Sequence, residues 1–167
     1  YREPARTQTV YAFVKRSFDI ICSLLLIVLL MPVLLVVAVI SAVDTKSNPL
    51  FIQTRMGRNN RPFRMIKFRT MSPKAPSNMA THRFTDALDY ISPVGGALRK
   101  LSLDELPQLF NILIGDMSFV GPRPVVLTET DLLRMRDRNG SLRVRPGLTG
   151  WAQVNGRDLV SVADKAV

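Results

Sequence analysis

From Ile20 to Val43 the chain runs for 24 residues without a charged side chain. That is long enough for a helix to cross a bilayer core. It is too long, and begins too far behind a polar lead, for the apolar part of a cleaved signal peptide. The flanks constrain how it can sit. Arg2, Arg6, Lys15 and Arg16 precede it, and Lys46, Arg55, Arg58, Arg61, Arg64, Lys67 and Arg69 follow, with Asp44 the one acid close by. Cations at a membrane boundary favour the cytoplasmic side, so a simple span would be pulled the same way at both ends. Pro32 stands in the middle of the run, where it removes a helical hydrogen bond and clashes with the carbonyl four residues back. A re-entrant helix kinked at Pro32, entering and leaving by one face, satisfies both flanks and is the expectation. The alternatives are a single transmembrane helix with a tolerated proline and a buried core helix of a soluble protein.

The net charge of +10 on 167 residues points to a polyanionic partner: nucleic acid, anionic membrane lipid or a phosphorylated substrate. Nucleic acid is not expected, because the cations flank a membrane segment and no nucleic-acid motif accompanies them. The lone Cys22 excludes an internal disulfide and fits a reducing compartment. The length suits one small domain.

The chain divides into a polar lead (1–14), the membrane helix (15–46) and a catalytic domain (47–167). The fold class expected is α/β, mostly helical with a short β-hairpin. Residues 44–71 alternate basic and apolar side chains, which predicts two short strands, Phe51–Arg55 and Phe63–Arg69, around a turn holding Gly57, Asn59 and Asn60. This basic strip reads either as a surface for anionic headgroups or as a solvated strand face. Residues 72–90 read as loop, with the only histidine, His82, solvated within it. Helices are expected from Val94 or Gly95 to Lys100, from about Asp104 to Leu113, and from Leu127 to about Arg138.

Chemistry concentrates in Ser102-Leu103-Asp104-Glu105-Leu106-Pro107-Gln108, two adjacent carboxylates in a basic chain. Ser-Leu-Asp-Glu matches a capping box with Ser102 as N-cap, and Leu101 and Leu106 would staple it. Pro107 opposes that register, because it would fall beyond the first turn. Moving the N-cap to Leu103 or Asp104 brings the proline into the tolerated first turn and sets Asp104 at the positive end of the helix dipole, favouring its ionised form. An ionised carboxylate there can bind Mg²⁺ or attack phosphorus as a nucleophile. Both readings, cap and catalytic pair, stay open on the residues alone. Arg123, between Pro122 and Pro124, is a stiffly held guanidinium suited to phosphate. Arg99 precedes the acidic pair, Arg145 stands before Pro146-Gly147, and Arg157 follows Asn155-Gly156. Trp151 and Gln153 offer an aromatic face and an amide to a nucleobase.

The blocks SLDELPQLFN, GDMSFVGPRP and RPGLTGWAQVNGR, in that order after KRSFD and a proline-broken apolar run, closely resemble the monotopic phosphoglycosyl transferases, bacterial sugar transferases. The resemblance implies transfer of a sugar 1-phosphate from a UDP-sugar to polyprenyl (undecaprenyl) phosphate with release of UMP. It implies a ping-pong mechanism through a phosphosugar on Asp104, as the first membrane step of polysaccharide assembly. Asp104 would be nucleophile and Mg²⁺ ligand, and Glu105 would support the metal or handle protons. Arg99, Arg123 and Arg145 would contact phosphate, and Gln153, Asn155 and Arg157 the nucleotide. Lys15, Arg16 and Asp19 would fix the re-entrant helix at the cytoplasmic face of the bacterial inner membrane. Met31 replaces the serine that some members carry before the breaking proline. Relatives continue past the position of Val167, so a shortened C-terminus is expected. Two other classes fit the residues: a ternary-complex phosphotransferase with Asp104 as metal ligand only, and a polybasic membrane adaptor without activity. The sugar, the pathway (capsule or exopolysaccharide among them) and the oligomeric state are not legible in the sequence.

Overall fold

The computed structural model describes residues 6–75 and 87–155. Its first element, α1 (Arg6–Thr45), is a 40-residue helix with Pro32 inside it. Secondary structure runs through the proline, so any turn there is a bend within one helix rather than a loop between two. One stripe of α1 is buried: Asp19, Ser23, Ile27, Leu34, Val37 and Ser41. Those spacings keep to one helical face and hold their phase across Pro32. Ile27 packs with Phe63, Met65, Leu109, Ile112 and Met117, and Leu34 and Val37 pack with Phe68 and Leu98. The rest of the helix is bare and apolar, with Leu25, Val28, Leu29, Leu35, Val36, Val39 and Val43 all more than half exposed. A continuous apolar face of this kind is a membrane-contact surface.

Polar contacts tie both ends of α1 to the same small domain. Near the start, Asp19 Oδ1 accepts from Ser118 Oγ (3.1 Å) and from Phe119 N (3.2 Å), and Lys15 donates to Ser118 Oγ. Arg16 donates to the carbonyls of Ile112 (2.7 Å) and Leu113 (2.8 Å). Near the end, Ser41 Oγ donates to Arg69 O (2.7 Å), and Asp44 accepts from Ser92 Oγ (2.6 Å). At 1.5 Å per residue these contacts span about 45 Å of helix.

The expected hairpin forms. β1 (Leu50–Met56) pairs antiparallel with β2 (Pro62–Phe68), Leu50 opposite Phe68 and Met56 opposite Pro62. The connection passes through Asn59 at φ 55° and Asn60 at φ 59°, a left-handed turn that asparagine tolerates. After α2 (Pro93–Lys100), capped by Ser92, come a single 3₁₀ turn (Leu103–Glu105) and α3 (Gln108–Ile114). A two-residue β4 (Val125–Val126) pairs on the other side of β1, giving the order β2-β1-β4. β3 (Ser118–Val120) pairs in parallel with β5 (Gly147–Thr149). Between these lies α4 (Thr130–Asn139), three residues later in starting than the sequence suggested, and α5 (Trp151–Val154) closes the described part.

β2 is an edge strand, and Asn111 of α3 covers its free side. The side chain is fully buried; Oδ1 accepts from Ile66 N (3.0 Å) and Nδ2 donates to Arg64 O (2.8 Å). The Asn111 carbonyl also accepts from Gly115, Asp116 and Met117 N–H, closing the C-terminal end of α3. Replacing Asn111 with alanine leaves a buried N–H and C=O unpaired, a cost of about 2–3 kcal/mol. For a chain of this size, thermal unfolding of Asn111→Ala in lipid nanodiscs is expected roughly 5–10 °C below the parent; an unchanged Tm would remove this residue from the framework.

Candidate active site

The acidic pair does not sit in a capping box. Ser102 has φ 57° and ψ 20°, left-handed rather than the extended backbone an N-cap needs, and its side chain makes no cap bond. Leu101 stays exposed, whereas Leu103 and Leu106 pack under the turn against Leu98, Phe68, Leu34 and Val37, so the Leu101–Leu106 staple does not form. Pro107 takes the N-cap position of α3, φ −62°, where its missing N–H costs nothing. Asp104 thus lies on the 3₁₀ turn before a seven-residue helix, and burial rather than a helix dipole dominates its titration. Burial raises its pKa, Lys67 opposes this, Glu105 adds to it, and Arg99 opposes it again. The expectation of a carboxylate held ionised by the dipole is corrected accordingly.

Glu105 lines a cationic cleft. Its carboxylate accepts from Lys67 Nζ at 3.0 Å, and Arg123 Nη2 lies 4.0 Å away. The cleft is small and open to solvent, lined by Arg55, Lys67, Glu105, Gln108, Arg123 and Leu148 among others. Burial lowers the pKa of Lys67, with Glu105 the main opposing charge. Arg55 is brought down to about 10 by burial and by Arg123, with Glu129 and Glu105 opposing. Several cations brought this close, against few acids, describe a site prepared for added negative charge.

Of the residues singled out in the sequence, Arg99 in the last turn of α2 and Arg123 on the Gly121–Pro124 loop stand beside the acidic pair. Arg145 is carried elsewhere. Its Nε donates to Gly115 O (2.8 Å) at the far end of α3, where burial, Arg58 and Arg16 lower its pKa. Lys15, Arg16 and Asp19 likewise turn into the protein, holding α1 on the domain. The Gln153 amide has both polar atoms buried without a hydrogen-bond partner among the described residues. Asn155 is exposed and donates to Trp151 O (2.8 Å), and Trp151 is half exposed rather than core. Arg157 and His82 lie outside the described residues. Lys67 and Arg55, read from sequence only as members of the basic strip, line the cleft. In the strand register Phe51 faces Lys67 and Arg55 faces Phe63, so Arg55 and Lys67 share one face of the hairpin.

The loop bearing Arg123 is seated by close backbone approach. Gly121 N donates to Thr149 O (3.0 Å), and Gly147 N donates to Pro122 O (2.9 Å). A side chain on Gly121 would strike the Arg145 carbonyl, and one on Gly150 the Gly121 carbonyl. Among the described residues there is no group of three or more side chains able to hold a metal. Asp104 and Glu105 are adjacent carboxylates, the kind of hard oxygen donor that Mg²⁺ takes alongside water and phosphate, and Glu105 is also paired with Lys67.

The bacterial sugar transferase family model matches residues 10–167. A UDP-N-acetylgalactosamine-undecaprenyl-phosphate N-acetylgalactosaminephosphotransferase of Aeromonas hydrophila is 41% identical over 148 residues, which cover 87% of this chain and 34% of the relative. An undecaprenyl-phosphate glucose phosphotransferase of Komagataeibacter xylinus is 44% identical over 148 residues, 85% of this chain and 28% of the relative. The exopolysaccharide production protein ExoY of Rhizobium meliloti (strain 1021) is 37% identical over 179 residues, 98% of this chain and 78% of the relative. The chain thus spans about a third of the first two and most of the third.

The charge balance at Asp104 fixes the sign of a pH effect. A carboxyl whose folded pKa is raised binds its proton more tightly when folded, so it subtracts stability as pH climbs from the ordinary aspartate range through the raised value. The Asp104→Asn variant escapes that loss. Its Tm relative to the parent is expected to rise from pH 4 towards neutrality and then level off; a difference that is flat or falling over that range contradicts the balance described.

Proposed function

The chain belongs to the bacterial sugar transferase family, and on that premise we propose that it moves a sugar 1-phosphate from a UDP-sugar to undecaprenyl phosphate, releasing UMP. The observation that carries the reading is a buried aspartate beside a cationic cleft: Asp104 lies within the field of Lys67 and Arg99, and its neighbour Glu105 lines the cleft with Lys67, Arg55 and Arg123. A soluble diphosphate and a lipid phosphate must meet in one site, and both are anions.

The proposed reaction has two displacements. An Asp104 carboxylate oxygen attacks the β-phosphorus of the UDP-sugar. The bond from that phosphorus to the oxygen bridging the α-phosphate breaks, and the electron pair leaves with UMP. A phosphate oxygen of undecaprenyl phosphate then attacks the same phosphorus, and the bond to Asp104 breaks, regenerating the carboxylate. Arg99 and Arg123 bind phosphate oxygens, and Lys67 adds a third cation while holding Glu105 in place. Gln153, with its unsatisfied amide, and Asn155 are the nucleotide contacts within the described residues. Asp104 and Glu105 would hold Mg²⁺, which when bound offsets the repulsion between carboxylate and diphosphate and stabilises charge on the leaving phosphate. Asp104 must be ionised to attack, so the cations around it also work against the proton that burial favours.

The site belongs at a membrane surface. Both ends of α1 are bonded to one domain, at residues 15–19 and 41–44. A spanning helix would put about 30 Å of hydrocarbon between them. This supports entry and exit by a single leaflet, with the domain on the cytoplasmic side of the inner membrane and the exposed apolar face of α1 in lipid. Such a protein would catalyse the first membrane step of a polysaccharide pathway.

Turnover is tested by UMP release against a panel of UDP-sugars with undecaprenyl phosphate in nanodiscs. Asp104→Asn is expected to lose roughly a thousandfold or more in rate, as removal of a nucleophile does elsewhere. Incubation with labelled UDP-sugar and no lipid should leave labelled phosphosugar on the parent and none on the variant. Normal turnover without trapped label would favour a ternary complex, and normal turnover by Asp104→Asn would overturn the nucleophile. For topology, single cysteines placed at Thr9 and Lys46 in a Cys22→Ser background should both react with an impermeant maleimide in inside-out vesicles and neither in right-side-out vesicles. Opposite accessibilities would mean a spanning helix.

A further inference from the structure

Three consecutive carbonyls in the loop that carries Arg123 are each taken by a donor from a different element. The Gly147 N–H of β5 donates to Pro122 O (2.9 Å), Arg136 Nη1 of α4 to Arg123 O (2.6 Å), and Arg55 Nη1 of β1 to Pro124 O (3.3 Å). Pro122 and Pro124 have no N–H, so carbonyls are the main handles by which the rest of the protein can grip this segment. Two of the three grips are guanidinium groups, and the stronger comes from a residue only 3% exposed.

Arginine is rarely so buried, and burying it without compensation is costly. Arg136 lies one helical turn beyond Leu132, which packs on Val125 of β4, so the same face of α4 places an apolar anchor and a charged donor along the loop. Burial brings Arg136 down to about 10, and Glu129 is its opposing charge, as it is one of the opposing charges on Arg55. The acid preceding α4 thus acts on both gripping guanidinium groups. The Arg123 side chain itself is 42% exposed and reaches towards Glu105. Its backbone is fixed from behind while its guanidinium stays available in front.

We propose that Arg136 is a positioning residue for Arg123: by holding the Arg123 carbonyl it aims the Arg123 guanidinium at the substrate phosphate without touching substrate, while Arg55, itself a cation of the cleft, holds the Pro124 carbonyl beside it. This rests on the reading that Arg123 contacts a phosphate in the transfer reaction. Preorganisation of this kind matters because a small misplacement of a phosphate-binding group costs rate even when the fold survives.

The test measures kcat and KM for UMP release by the full chain in nanodiscs, with the UDP-sugar that turns over fastest in a panel. It compares Arg123→Ala, Arg136→Met and the double variant, with Tm recorded for each. Arg136→Met is expected to lower kcat/KM at least tenfold. The double variant should lie within about twofold of Arg123→Ala alone, because both remove one function. Arg136→Lys, which keeps the charge for Glu129 and a donor for the loop, should recover part of the loss; together with Arg136→Gln it carries the comparison if the methionine variant does not fold. Losses that multiply in the double variant, or an Arg136→Met enzyme within twofold of the parent, overturn the positioning role. Normal turnover by Arg123→Ala while Asp104→Asn is inactive also overturns it and leaves the transfer reaction standing. Normal turnover by Asp104→Asn as well would overturn the Asp104 nucleophile, and a parent that releases no UMP with any UDP-sugar of the panel would bring down the transfer reaction itself.

Discussion

The amide of Asn111 is the interaction on which the arrangement of this protein depends. β2 is an outer strand of the small β2-β1-β4 sheet, and its free edge is completed by a side chain that donates and accepts as a neighbouring strand would. The consequence is positional. Lys67 follows Ile66 on β2, and Glu105 lies just before α3, so holding Ile66 to Asn111 sets the 3.0 Å ion pair between strand and turn. The core around Ile112 and Met117 packs the two elements together, but packing alone leaves sliding along the strand open. The directed hydrogen bonds fix the register.

α3 is only seven residues long, yet it has contacts at both ends that matter to function. Its N-terminal end follows the acidic turn. Its C-terminal carbonyls, on Ile112 and Leu113, accept from Arg16, and the Gly115 carbonyl just beyond accepts from Arg145. Cations suit that end of a helix. Arg16 belongs to the apolar helix α1, so the depth at which α1 sits in lipid is transmitted through one short rigid element to the carboxylates. In the proposed reaction the acceptor phosphate of a polyprenyl lipid lies at the headgroup level, and a site keyed to α1 in this way would be held at that level.

Much of this was legible in the residues. The alternation over 51–69 gave the hairpin, Pro107 weighed against a capping box without excluding it, and the conjunction of three sequence blocks identified the family. What was not legible has physical causes. The left-handed backbone at Ser102 carries no sequence mark, since serine is not a residue that announces it. The parity that turns Arg55 and Lys67 inward depends on hairpin register, which the turn 57–61 decides. TDLLRMRDRN reads as a solvated amphipathic helix because five of its ten side chains are charged, and nothing in that pattern singles out Arg136 as the buried one. Arg145 looked like a phosphate ligand because it neighbours Pro146 and Gly147, but those residues serve the contact of β5 with Gly121, and the guanidinium is committed to Gly115.

The charge arrangement around the 3₁₀ turn has an internal logic. A buried aspartate next to a second acid tends to keep its proton, and a protonated carboxyl is no nucleophile. Lys67 and Arg99 oppose that tendency, while the proton affinities of Lys67 and Arg55 are themselves lowered, chiefly by burial and then by Arg123. Each group is thus held away from its comfortable state by its neighbours, and the strain has one common remedy, the arrival of further negative charge in the cleft. A diphosphate stabilises Arg55, Lys67 and Arg123 together. It would also draw part of their field away from Asp104, and in the proposed reaction a divalent cation at the two carboxylates would offset that loss.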